Sequence, residues 1–185
     1  MDTNTFRWDQ PGGKALARWF KDLEDDRGGR AHLRRARAPA EVLFEPALYR
    51  FVGKLRAAGE TVRDSDLERL AGIAGLAAHL RENVWQASAG DEAALRRRSF
   101  ARQLAGDGRS GRAALSPLRF RRLLAIEDRQ KLYRHLVRCL RLLDGRGNLL
   151  DLAASYYFWG PKVRQRWAYD YYDNLPSSEP PETQN

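Results

Sequence analysis

Two sets of cations share one spacing. Arg27, Arg30, Arg34 and Arg37 are separated by 3, 4 and 3 residues, and so are Lys131, Arg134, Arg138 and Arg141. At about 3.6 residues per turn, each set falls on one narrow arc of a helix. Like charges stacked at these intervals repel, so such an arc is destabilising unless an anion faces it. The chain carries a net charge of +9, which makes a phosphate backbone the natural counter-ion. The alternative is a solvated, salt-paired helix face, but neither set has acids interleaved at pairing distance. Arg119 and Arg122 add two more cations just before the second set. The ten candidate contacts to nucleic acid are therefore Arg27, Arg30, Arg34, Arg37, Arg119, Arg122, Lys131, Arg134, Arg138 and Arg141.

Of the 33 basic residues, 28 are arginine and 5 are lysine. The guanidinium fork grips phosphate through two parallel hydrogen bonds and stacks on bases, which an ammonium cannot do. A further basic region, 96–112, holds Arg96, Arg97, Arg98, Arg102, Arg109 and Arg112 against Asp107 alone. None of this surface comes with a base-reading module: there is no zinc finger, no RNP aromatic pair and no GXXG clamp. Basic surface of that kind predicts backbone contact with little sequence preference.

Other chemistry is missing from the sequence. His32, His79 and His135 form no HxH or HExxH pattern, there is no CxxC, and no GxxxxGK[ST] loop occurs. Asp25 and Asp26 are adjacent, so on a helix they diverge by about 100° and read as a helix-end charge cluster. No catalytic residue, metal site or cofactor is expected. Cys139 is the only cysteine, which excludes an internal disulfide and suits a small core residue.

Hydrophobic content of 43% in 185 residues supports a globular core, in one domain or two small ones. The start, MDTNTFRWDQPGGK, has no apolar run for a signal peptide, and no segment nears 18 uninterrupted apolar residues. A soluble, cytoplasmic protein with no membrane partner is expected.

Helical periodicity runs nearly throughout. Leu16, Trp19, Phe20 and Leu23 mark a first helix over 14–23, ended by an acidic knot and broken at Arg27-Gly28-Gly29. A short basic helix follows over 30–37, stopped by Pro39. Pro46 opens a helix through Leu55, and Asp64 or Ser65 caps a long one reaching about Asn83. Gly72 and Gly75 inside that long helix cost about 1 kcal/mol each, which close approach of a neighbouring helix would explain. A short helical piece covers 100–104. Ser116-Pro117 opens a helix to about Ile126, and Asp128 caps one running to Leu143. Asn148 starts another through Tyr157, and Pro161 starts the last, ending near Tyr172. No β-alternation is long enough for a strand. Trp167 and Tyr171 share a face at i,i+4, so the aromatic-rich stretch 156–172 reads as a packing seam rather than a base-stacking platform. The fold class is all-α: two packed helical bundles, 14–105 and 116–173, joined by a Gly/Arg-rich linker at 106–115, with a disordered tail over 174–185.

Three segments in this order, RGGRAHLRRAR, then SPLRFRRLLAIEDRQKLYRHLVRCLRLL, then LDLAASYYFWGPKVRQRWAYDYY, resemble CasB, the small subunit of type I-E CRISPR Cascade complexes. The similarity covers about 16–172. It implies an all-helical, non-catalytic subunit of an antiviral, guide-RNA-carrying complex. Its implied partners are the crRNA, the target DNA, the displaced DNA strand, the large subunit, the backbone subunits and a second copy of itself. A rival class is a helix-turn-helix regulator of duplex DNA, with Gly28-Gly29 as its turn, though the helix after that turn is barely two turns long. A nuclease would need a carboxylate cluster that the sequence lacks.

Overall fold

The computed structural model describes residues 1, 5–84, 99–106 and 112–176. Among them lie helices α1 (Pro11–Asp25), α2 (Arg27–Arg35), α3 (Pro39–Val42), α4 (Pro46–Ala57), α5 (Asp64–His79), α6 (Phe100–Ala105), α7 (Pro117–Leu124), α8 (Arg129–Leu142), α9 (Leu149–Tyr157) and α10 (Pro161–Tyr172). Two two-residue strands, β1 (Glu82–Asn83) and β2 (Arg146–Gly147), pair in parallel. The fold is all-α, and among the described residues this short pairing is its only β-structure.

Helix α5 is the hub. Leu70 through Ala78 are buried without interruption, and α2, α3, α4, α8 and α9 all pack on it. A helix apolar all round requires neighbours all round. Gly72 and Gly75 make two of those contacts possible. A Cβ at Gly72 would run into the Tyr156 ring of α9, and one at Gly75 into the Tyr133 ring of α8. The helix-propensity cost of these glycines is thus offset by two aromatic side chains seated against bare backbone.

Elsewhere helix α1 packs on α4, where Trp19 stacks on Phe51 at 4.8 Å and its indole N–H donates to the Ala47 carbonyl at 3.1 Å. Helix α10 packs on α6, burying Trp167 and Tyr171. Phe120 stacks on Tyr171 at 3.7 Å, and the Trp167 indole donates to Ser155 Oγ at 2.9 Å. The aromatic stretch 156–172 is thus a packing seam within the chain at Tyr156, Tyr157, Trp167 and Tyr171, while Tyr169 and Tyr172 face solvent. Side chains from 14–105 and from 116–173 contribute to one connected buried cluster. Residues 107–111 of the 106–115 segment and residues 177–185 of the tail lie outside the described residues. At the start of the tail, Asn174 donates to the Asp170 carbonyl at 2.8 Å.

Several boundaries differ from the sequence expectation for local reasons. The break after α1 falls at Asp26, not at Gly28-Gly29. Asp26 caps α2 by accepting from the Gly29 N–H at 2.8 Å, and a side chain at Gly29 would strike that carboxylate. The two glycines therefore form the first turn of a helix instead of ending one. Pro39 opens α3 at its first position, where its missing N–H costs nothing. Helix α5 stops at His79, and residues 82–83 leave the helix to pair with 146–147. Its N-terminal acceptor is Asp66, which takes the Arg63 N–H at 2.9 Å. Asp128 and Asn148 cap α8 and α9 as expected, accepting from Lys131 N–H at 2.7 Å and Asp151 N–H at 3.1 Å.

Candidate nucleic-acid interface

Helix α8 presents its stripe intact. Its 14 residues contain the whole run from Lys131 to Arg141, and Lys131, Arg134, Arg138 and Arg141 are all exposed. The opposite arc, Leu132, Tyr133, Leu136, Cys139 and Leu140, is buried in the core. The apolar arc fixes the helix, and the fixed helix leaves the cationic arc toward solvent. Among the described residues none of these four side chains has a carboxylate partner. Burial also pushes the Cys139 thiol up to about 12, which keeps it protonated and inert as expected of a core residue.

The α2 stripe is divided among three fates. Arg27 and Arg34 are exposed on the helix. Arg30 is turned inward: its Nε donates to the Ala78 carbonyl at 3.3 Å and its terminal nitrogen donates to the Leu80 carbonyl. It satisfies carbonyls at the C-terminal end of α5 and places a cation where the helix dipole favours one. Burial lowers the Arg30 pKa from the ordinary guanidinium value, an effect opposed by Glu24 and increased by Arg34. Arg37 lies past the end of α2, on the turn into α3, where its backbone N–H donates to the Glu41 carboxylate at 2.9 Å.

Arg119 and Arg122 are exposed on α7, together with Arg121. Of the basic region 96–112, Arg96, Arg97, Arg98 and Arg109 lie outside the described residues, while Arg102 is engaged with Asp173 at 3.1 Å and Asn174 at 3.3 Å. Several other arginines are also internal fasteners. Arg129 donates to the Tyr156 and Tyr157 carbonyls at the end of α9, and Arg166 pairs with Asp151 at 2.9 Å.

The two stripes approach each other at their C-terminal ends. On the buried arc of α8, nearer its N-terminal end, Tyr133 donates to the Ala36 carbonyl, just beyond α2, at 3.4 Å. Arg34 and Arg141 both bear on His79, in the last turn of α5. Burial first, then Arg141 and Arg34, lower the His79 pKa to about 4, so the imidazole is neutral near pH 7. His79 is the residue the sequence did not single out. Its neighbours come from helices far apart in the chain, and no spacing announces them. His135, between the two arcs of α8, is lowered by burial and by Arg138 and Arg134.

Among the described residues no three His, Cys, Asp or Glu side chains are grouped to hold a metal ion. No helix there is long and apolar enough to cross a membrane.

A helical protein with unpaired arginine faces and a core shared by distant segments is the class of molecule these features define. The family model described as CRISPR-associated protein Cse2 matches residues 29–172. The chain belongs to that family, the small subunit of the type I-E CRISPR Cascade complex. No curated protein and no solved structure gives a significant match.

Proposed function

We propose that this subunit is a non-catalytic, cytoplasmic clamp. It holds the crRNA–target duplex and the displaced DNA strand by backbone contacts from α8, α7 and the exposed part of α2. The observation that carries this reading is the α8 stripe: four exposed cations, without carboxylate partners among the described residues, on a helix whose other face is locked in the core. Opening a DNA duplex against guide RNA is nearly balanced in free energy, so a few added phosphate contacts tip it. The neighbours in this reading are the large subunit, the repeated backbone subunits and a second copy of the chain. A net charge of +9 opposes self-association in solution, so the pair forms within the complex.

The test is reconstitution of a guide-loaded complex with the wild-type subunit, with none, and with a variant carrying K131Q, R134Q, R138Q and R141Q. The lifetime of the open target is expected to shorten when the subunit is omitted and, nearly as much, when the variant replaces it. An unchanged lifetime with the variant, incorporated at normal occupancy, contradicts the assignment.

A further inference from the structure

The C-terminal ends of α2, α5 and α8 border an open-sided cleft of about 430 Å³, a size within the roughly 300–1,000 Å³ of small-ligand pockets. Arg34 and Arg35 line it from α2, His79 from α5, Arg81 from just beyond α5, Arg141 from α8 and Asp144 from the following turn. Four arginines and a single carboxylate residue thus border it. Among the described residues the Arg34, Arg81 and Arg141 side chains have no partner, and Arg35 bonds only the Ala31 carbonyl of its own helix. Their mutual repulsion is relieved by an anion in the hollow.

Fixed elements hold the walls. Arg30 ties α2 to the end of α5. The Arg81 N–H donates to the Gly145 carbonyl at 2.7 Å, and the Gly145 N–H donates to the Leu140 carbonyl at 2.8 Å. Gly145 has a φ of +75°, and a Cβ there would crowd the His79 carbonyl at 3.0 Å. Glycine is required for the chain to turn back this closely under the cleft.

We propose that this cleft seats one phosphate-bearing nucleotide unit, its phosphate held by Arg34 and Arg141, with His79 as a hydrogen-bond partner. The proposal rests on the reading that the chain holds nucleic acid, and it adds a discrete, saturable seat to an otherwise sequence-indifferent surface. A linked proton follows. The charged groups that share the cleft with His79 are Arg34 and Arg35 from α2, Arg81, Arg141 from α8 and Asp144, and Arg30 bonds the carbonyls of Ala78 and Leu80 on either side of it. A phosphate between Arg34 and Arg141 offsets their repulsion of the imidazolium, so His79 binds a proton more readily in the complex. Affinity at this seat therefore rises as pH falls from 7 toward 5.

The His79 side chain is followed by NMR in the full chain, its resonance assigned with H79Q. The probes are a short oligothymidylate and thymidine 5′-monophosphate at equal phosphate concentration. Binding is expected to move the His79 resonance and raise its titration midpoint by about one unit or more. The R34Q/R141Q variant should lose that response while still binding oligonucleotide, more weakly, through Lys131, Arg134 and Arg138. A response to oligonucleotide alone assigns the seat to a strand, and an equal response to the mononucleotide assigns it to free nucleotides. If oligonucleotide binds and neither probe moves His79, the seat is overturned and the strand-holding function stands. If oligonucleotide fails to bind but the mononucleotide moves His79, strand holding falls and the seat remains. If neither probe binds, both fall.

Discussion

On α8 the four cations at 131, 134, 138 and 141 all face solvent, whereas the same spacing at 27, 30, 34 and 37 divides into exposed, inward-turned and off-helix residues. Length and backing account for the difference. Helix α8 has 14 residues and six buried side chains to fix its rotation, so its cationic arc has no inward neighbour to serve. Helix α2 has nine residues and one buried side chain, Leu33. It is fastened to α5 partly by one of its own arginines, and it ends before reaching Arg37. An identical charge pattern is a solvent-facing stripe on one helix and, at Arg30, a structural fastener on the other. What decides is whether a buried carbonyl lies within reach.

Substitutions can break this comparison, and the largest effect is expected from α8. Changing Lys131, Arg134, Arg138 and Arg141 together to glutamine should weaken binding of single-stranded oligonucleotide by roughly tenfold or more, and should flatten the salt dependence by about 0.7 per lost phosphate contact. Thermal stability should be unchanged or slightly raised, because like-charge repulsion along the helix is relieved.

Next comes R30Q, which should cost about 1–3 kcal/mol by urea unfolding, since α5 carbonyls lose a charged donor. R27Q should stay within about 0.5 kcal/mol of wild type, as an exposed site with no partner among the described residues does. Equal stabilities for R30Q and R27Q would erase the distinction between the two helices. G72A should cost about 1–3 kcal/mol in the same assay, because its methyl group meets the Tyr156 ring.

A separate effect concerns pH. His79 is held near 4 in the folded chain against an ordinary value of 6.5, so between those values the unfolded chain binds more protons. Stability should therefore fall as pH drops through this window and level off below it. The part of that slope owed to His79 should be absent in H79Q, measured by thermal melts across the window.

Much of this was readable from the sequence, and the remainder was hidden for identifiable reasons. Helix α8 was legible in full because its cap, Asp128, its apolar arc and its cationic arc all lie within one continuous stretch. Gly72 and Gly75 were legible as points of close approach, although the rings that approach, Tyr156 and Tyr133, were not. Arg30 reads as a surface cation in the sequence because its acceptors, at Ala78 and Leu80, lie 48 and 50 residues away. The break after α1 was misplaced because glycines usually end helices, while here Gly29 makes room for the Asp26 cap. The β1–β2 pairing is too short to leave any alternation in the sequence.

The measurement that bears most directly on the central claim is the salt dependence of oligonucleotide binding by the α8 quadruple variant against R27Q/R34Q, with both variants shown to melt like wild type. The account predicts that the α8 variant loses the larger share of the wild-type slope, about 3 in log K per log salt for four phosphate contacts, and that the α2 variant loses about half as much. A wild-type slope retained by the folded α8 variant would contradict it.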